Sequence, residues 1–289
     1  MFRTRFAPSP TGYLHLGHAL SALTVAHCAK VADGEMLLRI ENTDFTRCRD
    51  DYEQSIHEDL KWLGLDWPEP VRRQSDHFPD YKAALQRLID AGLVYKCFLS
   101  RKDLMAIIEE NPAMSAEGPD GPVYFGKPLA ATEEERLIEQ GVPFAWRLSI
   151  SEAKAALGTK WKEITCRERS FTDRYAIKTV PITPEIFGDA VIARKDIGTS
   201  YHLASVHDDA LQNVTHVIRG DDLKEAVHLH RLLQVLLDLP EPIYQHHRLL
   251  TDETGKKLSK RDQSPALKDM RENGVSLDDV KQRLGSLLP

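Results

Sequence analysis

The chain contains few cysteines, and their positions argue against two kinds of cross-linked site. Four cysteines occur among 289 residues, and no pair has the Cys-x-x-Cys spacing of a zinc knuckle or a redox motif. They are widely scattered, at Cys28, Cys48, Cys97 and Cys166. This distribution argues against a disulfide framework and provides no complete zinc-binding set. We therefore expect the four thiols to be small buried or half-buried side chains.

Long apolar runs and an excess of positive charge are also missing. No apolar stretch approaches the roughly 18 residues that a membrane-spanning helix needs. The first five residues lead directly into a motif, so no signal peptide is expected and we predict a cytoplasmic protein. The net charge is −6 at pH 7. Any contact with RNA must therefore use a local basic surface and not the overall charge.

Strand and helix patterns alternate at both ends of the chain. Residues 3–7 and 36–40 are short apolar segments typical of buried strands, and apolar residues recur at helical spacing from Leu16. The alternation predicts an α/β fold with a doubly wound parallel sheet. Further helices are expected at 49–63, 79–91 and 223–237, and further strands at 190–193 and 214–218.

An irregular middle section interrupts this alternation. Residues 111–128 are rich in proline and glycine, and residues 144–150 alternate like a strand. Thr132-x-x-Glu135 and Ser276-x-x-Asp279 have the spacing of capping boxes, each before a short helix. We therefore expect the two halves of a nucleotide-binding domain at 1–95 and 186–245, an inserted α+β subdomain at 96–185, and a lysine-containing loop with a short helical appendage at 246–289.

Two histidines lie one helical turn apart at the predicted start of the first helix. His15 and His18 share a face of that helix, and the first turn of a helix attracts phosphate through its N–H groups and its dipole. Gly17 has no side chain, which would let a purine ring approach the backbone. A lone His-x-x-His pair is weak evidence, but the Pro8–Gly12 turn before it favours a nucleotide site.

Two lysines lie near the other end of the chain. Lys257 and Lys260 flank Leu-Ser and follow Thr254-Gly255, a flexible lead-in. Lysines at this spacing can neutralise the charge that develops on a pyrophosphate leaving group. Most basic loops are simply solvated, but the pairing with the histidine motif favours a catalytic role.

Charged residues occur at the ends of three predicted strands. They are Arg5, Glu41 and Arg219. The carboxyl ends of parallel strands form the ligand-binding edge of an open α/β sheet. Arginine can hold a carboxylate with two hydrogen bonds, and glutamate suits an ammonium group. A surface ion pair would explain each residue singly, but three equivalent positions favour a site for an amino acid with carboxylates.

In order and spacing, the motifs resemble those of glutamyl-tRNA synthetases, including the "HIGH" and "KMSKS" signatures of class I aminoacyl-tRNA synthetases. The resemblance lies in residues 5–12, 40–44, 73–76, 201–204, 215–222 and 257–261. It implies the class I synthetase fold and ATP-dependent activation of glutamate, with Mg²⁺ bound through the phosphates. It also implies that glutamate is bound by Arg5, Ala7, Ser9, Glu41, Tyr201 and Arg219. ATP would be handled by His15, Gly17, His18, Lys257 and Lys260, of which the histidines and lysines would be catalytic.

The chain is shorter than the full-length members of this family. Only 28 residues follow Arg261, and no anticodon-binding region fits into them. The chain resembles a truncated branch of the family that transfers activated glutamate to the queuosine base in the anticodon of tRNA(Asp). A minimal enzyme that charges a tRNA 3′ end is the first alternative. A non-catalytic paralogue that binds a nucleotide or tRNA is the second, and the intact histidines and lysines argue against it.

Zinc is not expected in the insertion. Many truncated relatives carry a zinc site there, built from Cys-x-Cys and a later Tyr-x-x-x-Cys. In this chain, Cys97 is followed by Leu99, and Tyr124 is followed by Pro128. Leucine and proline cannot bind zinc, so two of the four ligands implied by the resemblance are missing.

Overall fold

The structure is a computed structural model that describes residues 1–110, 116–171, 176–251 and 265–289. Its strands are β1 (Arg3–Phe6), β2 (Glu35–Ile40), β3 (Arg72–Arg73), β4 (Val94–Cys97), β5 (Glu117–Gly118), β6 (Gly121–Pro122), β7 (Ala145–Leu148), β8 (Thr165–Arg169), β9 (Ile177–Pro181), β10 (Val191–Ala193), β11 (His216–Gly220) and β12 (Ile243–His247). Its helices are α1 (Leu16–Val31), α2 (Asp50–Trp62), α3 (Phe78–Asp90), α4 (Arg101–Glu110), α5 (Ala131–Glu139), α6 (Ile150–Leu157), α7 (Tyr201–Leu211), α8 (Ala226–Leu236), α9 (Leu267–Glu272) and α10 (Leu277–Leu284).

A mostly parallel sheet combines strands from distant parts of the chain. Strands β1, β2 and β3 are parallel neighbours, and so are β11, β12 and β8. The two groups adjoin where β1 lies beside β11, and there the backbone N–H of Thr215 donates to the carbonyl of Arg3 at 2.9 Å. The antiparallel strand β9 pairs with β8. The predicted α/β fold with a parallel sheet is confirmed.

Helix α1 is fixed against this sheet by apolar side chains on several of its faces. Ala19, Leu20, Ala22 and Val25 are fully buried, because the helix lies between the sheet and α10. A fully buried leucine contributes roughly 1.5–3 kcal/mol to folding. The packing therefore holds the first turn of α1 firmly at the carboxyl edge of β1.

A second, antiparallel sheet is formed by β4, β7 and β10. The predicted strand at 144–150 is shorter in the structure, because Ser149 ends β7 and caps α6 by accepting from the N–H of Glu152 at 3.3 Å. Strands β5 and β6 form a small hairpin within the expected irregular segment. The β4–β7–β10 sheet uses residues on both sides of position 186, and the predicted division into domains stays a prediction.

The two expected capping boxes have different outcomes. At Ser276 the box is confirmed: its Oγ accepts from the N–H of Asp279 at 3.1 Å, and Asp279 accepts in return at 3.0 Å. At Thr132 the prediction is wrong, because α5 begins at Ala131 and its N-cap Ala130 makes no side-chain hydrogen bond. Instead of a cap, two glutamates in the first turn of α5 stabilise the helix start by interacting with the positive end of the helix dipole. Within the described ranges, no helix is long and apolar enough to cross a membrane.

Candidate active site

A pocket of about 410 Å³ lies at the carboxyl ends of β1 and β11, beside the first turn of α1. It brings together nine of the predicted site residues: Arg5, Ala7, Ser9, His15, Gly17, His18, Glu41, Tyr201 and Arg219. Lys257 and Lys260 lie outside the described residues. The pocket supports the prediction that the ends of these strands converge, while the role of each residue remains a prediction.

Two histidines cap the first turn of α1. The Nδ1 of His15 accepts from the N–H of Gly17, and the Nδ1 of His18 accepts from the N–H of His15, both at 3.1 Å. A ring nitrogen that accepts a hydrogen bond carries no proton, so the proton of each neutral ring is on Nε2. The two rings can therefore donate from Nε2 to an anion at this helix terminus, which itself favours phosphate.

Gly17 leaves room for the His15 ring. A Cβ at residue 17 would lie 3.0 Å from Cε1 and 3.1 Å from Nδ1 of His15. These distances are shorter than ordinary van der Waals contact, so a side chain at this position would require the ring to shift by a few tenths of an ångström. Gly17 therefore makes room for the His15 ring that caps the helix. This role adds to the predicted one, in which the missing side chain lets a purine ring approach the backbone.

Arg5 and Glu41 are held by two buried residues that were not among the predicted site residues, Arg39 and Asp209. Arg5 Nε and Arg39 Nη1 both donate to Oδ1 of Asp209, at 2.9 and 2.7 Å. Arg39 Nη2 donates to Oε1 of Glu41 at 3.0 Å. Since all four side chains are buried, the network fixes β1, β2 and α7 to each other at the floor of the pocket.

Burial and charge act in opposite directions on the two carboxylates of this network. At Asp209, burial favours the protonated form, but Arg5 and Arg39 outweigh it and hold the pKa below its usual value. At Glu41, burial dominates over Arg39 and Arg5, and the pKa is raised. A cation beside Glu41 would favour its ionised form. Glu41 is therefore a buried carboxylate that gains from an ammonium ligand.

Arg219 differs from the other arginines of the pocket because its hydrogen-bond partners are uncharged. It donates to His246 Nε2 at 3.4 Å, to Tyr201 Oη at 3.3 Å and to His230 Nδ1 at 3.4 Å. Its Nη2 is buried and has no hydrogen-bond partner in the ranges that the structure describes. No carboxylate of the described residues is within ion-pairing distance of it. Within the described part of the chain, Arg219 therefore presents to the pocket a positive charge that no carboxylate pairs with.

The two histidines that contact Arg219 stay neutral. Burial, together with the charges of Arg219 and Lys224, lowers the pKa of His246 to about 3. Burial and Arg219 also lower the pKa of His230 well below its ordinary value. Neutral imidazoles can accept hydrogen bonds from the guanidinium without cancelling its charge. The arrangement suits a site that binds a carboxylate of a ligand.

Two of the four positions compared with a zinc site, Cys97 and Tyr124, are near enough to interact electrostatically. Cys97 is buried at the end of β4, and burial together with Cys97 raises the pKa of Tyr124. Leu99 is partly exposed. Within residues 1–110, 116–171, 176–251 and 265–289, no group of three or more His, Cys, Asp or Glu side chains could hold a metal ion. The absence of zinc stays a prediction.

Comparison with known proteins relates the chain to tRNA synthetases. Residues 1–278 match the family described as tRNA synthetases class I (E and Q), catalytic domain. The chain is 44% identical to glutamyl-Q tRNA(Asp) synthetase of Rhodobacter capsulatus, over 98% of this chain and 99% of that protein. It is 36% identical to glutamate–tRNA ligase 2 of Acidiphilium cryptum, over 99% of this chain and 62% of the ligase. For glutamate–tRNA ligase of Aquifex aeolicus the identity is 37%, over 94% and 54%.

Solved structures give the same relationship. A glutamate tRNA ligase from Elizabethkingia meningosepticum in complex with its amino acid matches with a TM-score of 0.70 and 28% identity, over 90% of this chain and 52% of the ligase. Methionyl-tRNA synthetase of Mycobacterium tuberculosis, bound by methionyl-adenylate, matches with a TM-score of 0.56 at 12% identity, over 98% of this chain and 63% of that one. At that identity the likeness concerns the fold alone. The expected class I synthetase fold is confirmed.

Proposed function

The chain belongs to the class I tRNA synthetases of the glutamyl and glutaminyl type, and on this premise we propose that it joins glutamate to RNA through glutamyl-adenylate. The proposed acceptor is the queuosine base in the anticodon of tRNA(Asp). The observation that carries the activation step is the buried charge of Arg219, which has only neutral partners among the described residues.

Glutamate fits the charges of the pocket. Arg219 supplies a guanidinium for one carboxylate, and Glu41 supplies an anion for the ammonium group. The third side chain, Arg5, donates from Nε to Asp209. Its two terminal guanidinium nitrogens would then donate to a substrate oxygen. A ligand with one cationic and two anionic groups would favour the ionised form of Glu41. The same ligand would place a carboxylate beside the guanidinium of Arg219.

Activation needs no protein nucleophile. A carboxylate oxygen of glutamate attacks the α-phosphorus of ATP, the new O–P bond forms, and the bond to the β-phosphate oxygen breaks to release pyrophosphate. His15 and His18 would donate from Nε2 to phosphate oxygens at the start of α1. Mg²⁺ would supply charge neutralisation when bound through the phosphates. We assign Lys257 and Lys260 to the departing pyrophosphate on the sequence alone.

The acceptor is inferred from the relatives. The R. capsulatus glutamyl-Q tRNA(Asp) synthetase is more similar to this chain than either glutamate–tRNA ligase, and it is matched over nearly its whole length. The chain spans 62% and 54% of the length of those two ligases. A hydroxyl of queuosine would attack the carbonyl carbon of the adenylate, and AMP would leave. Unstacked bases of the anticodon loop would provide sequence recognition.

The position of labelled glutamate on tRNA tests this proposal. The protein is incubated with ATP, labelled glutamate and tRNA from cells that make queuosine, and in parallel with tRNA from cells that lack it. We expect label on tRNA(Asp) in the first sample only, resistant to removal of the 3′ end and lost with the excised anticodon loop. Label that leaves with the terminal adenosine of tRNA(Glu) would identify a minimal glutamyl-tRNA synthetase. No activation of glutamate at all would identify a non-catalytic paralogue.

A further inference from the structure

Two buried histidines connect Arg219 to the turn between β5 and β6. Arg219 Nη1 is 3.4 Å from His230 Nδ1, and His230 Nε2 is 3.1 Å from His202 Nδ1. The other nitrogen of His202, Nε2, is 2.8 Å from Oδ2 of Asp120. His202 and His230 are buried, whereas the side chain of Asp120 is 55% exposed. The chain of contacts therefore runs from the pocket to the protein surface.

The two ends of this chain determine the direction of each hydrogen bond in it. A guanidinium only donates, and a carboxylate only accepts. His230 Nδ1 must accept from Arg219, so its proton is on Nε2 and is donated to His202. His202 then carries its own proton on Nε2 and donates it to Asp120. All three hydrogen bonds point from the pocket to the surface, and in such a chain each bond strengthens the next by polarisation.

We propose that Asp120, His202 and His230 are positioning residues that hold Arg219 in the orientation that binds glutamate, a role that rests on the proposed function. Asp120 strengthens His230 as an acceptor while staying three hydrogen bonds away from the guanidinium. A carboxylate in direct contact with Arg219 would compete with the substrate. The histidine chain supplies orientation and leaves the positive charge available.

The turn that carries Asp120 is placed by close backbone packing. A Cβ at Gly118 would lie 2.3 Å from the carbonyl oxygen of Ile186, which excludes any side chain there. Gly121 has φ +110°, a conformation that glycine adopts without strain. The hairpin is thereby fixed against residues that precede β10, and it presents Asp120 to His202 from a defined side.

Steady-state exchange of labelled pyrophosphate into ATP, dependent on glutamate, tests the positioning role. Asp120→Asn keeps an acceptor oxygen but removes its charge, and we expect the KM for glutamate to rise about fivefold. His230→Leu should raise it at least about tenfold. His230→Gln can both accept and donate and should restore most of the affinity. The KM for ATP should stay unchanged in all three, and Glu133→Gln, which changes an exposed carboxylate that pairs with Arg136, is the matched control.

Nitrogen-15 NMR of the histidine rings gives a readout that does not depend on activity. The wild-type protein should show both His202 and His230 with Nδ1 unprotonated and Nε2 protonated, and Asp120→Asn should shift both rings. Unchanged glutamate KM in Asp120→Asn and His230→Leu, in a wild type that does catalyse exchange, would overturn the positioning role alone. A wild type without exchange would overturn the proposed function, and the role that rests on it.

Discussion

Arg39 and Asp209 form a buried ion pair of 2.7 Å in which neither side chain is more than 7% exposed. The residues are 170 positions apart in the sequence, and the same carboxylate oxygen also accepts from Arg5. Removal of one member of a buried pair leaves the other charge uncompensated. The floor of the pocket and the stability of the fold therefore depend on the same atoms.

The first prediction concerns that shared carboxylate. Asp209→Asn should lower the free energy of unfolding by about 3–5 kcal/mol, because buried Arg5 loses its ion-pair partner and buried Arg39 keeps only Glu41. It should also raise the KM for glutamate, since Arg5 and Glu41 lose a fixed neighbour. Urea unfolding and pyrophosphate exchange measure the two effects.

Asp208→Asn is the matched control for Asp209. This neighbouring carboxylate is also fully buried, but it accepts from Arg72, Gln74 and Tyr81 and has no hydrogen bond to Arg5 or Arg39. Its loss should destabilise the fold to a similar extent while the KM for glutamate stays near the wild-type value. Equal changes in KM for the two variants would show that Asp209 acts only through stability.

The second prediction separates stability from binding at Arg219. Arg219→Met removes a buried charge that has no carboxylate partner among the described residues, so the free energy of unfolding should change by less than about 2 kcal/mol. Glutamate-dependent exchange should fall at least about 100-fold. Arg39→Met, the control, leaves Asp209 and Glu41 with one cation fewer and should unfold far more easily. A strongly destabilised Arg219→Met protein would contradict the conclusion that Arg219 lacks a carboxylate partner.

The third prediction is a loss of stability in mild acid. Burial, with help from Arg169, lowers the pKa of His216 to about 4, and the pKa of His246 is lowered to about 3. The unfolded chain, in which histidine has a pKa near 6.5, therefore binds more protons below that pH. The free energy of unfolding should fall by up to about 1.4 kcal/mol per pH unit for each such histidine as the pH drops from 6.5 towards 4.

Urea titrations at about pH 7.5, 6 and 5 measure this slope. Above pH 7 both histidines are neutral in the folded and unfolded chain, so they should contribute no pH dependence there. His216→Asn should make the acid-side slope shallower by the share of one histidine. An equally steep slope in that variant would mean that His216 becomes protonated in the folded protein.

The fourth prediction concerns metal. Protein purified without chelators should contain far less than one zinc ion per chain by elemental analysis, since leucine and proline stand at two of the expected ligand positions. The double variant Leu99→Cys/Pro128→Cys should gain zinc, because Cys97 and Tyr124 lie near each other. Stoichiometric zinc in the wild type that disappears in Cys97→Ser would contradict the prediction.

The sequence predicted elements best where apolar and polar residues alternate clearly. Helices α1, α2 and α3 begin and end within a few residues of the expected positions. Helix α7 was not predicted, because its buried set includes polar residues such as Ser205, Asp208 and Asp209. The two aspartates point inward to arginines of other elements, so the helix lacks the contrast between a polar and an apolar face.

Strand β11 shows a similar limit on local patterns. The expected strand was 214–218, whereas the structure has His216–Gly220, paired in parallel with β12. Thr215 instead bonds to Arg3 at the junction with β1, so its position depends on a residue more than two hundred places away. At the site, the rule on strand ends placed Arg5, Glu41 and Arg219 together, but their buried partners could not be inferred from local sequence.

The double cap on α1 bears on how such a protein would change if its substrate were lost during evolution. His15 and His18 hold the helix start without any nucleotide, and a helix cap contributes about 1 kcal/mol, so selection for a folded chain would preserve both. In contrast to the expectation from the sequence, intact histidines alone therefore do not argue against a non-catalytic paralogue. Arg219 has no such protection, because a buried charge without a carboxylate partner in the described part of the chain would be free to be replaced by an apolar residue once no substrate bound to it. Among descendants of this chain that lost the activity, we would therefore expect Arg219 to be substituted before the two histidines.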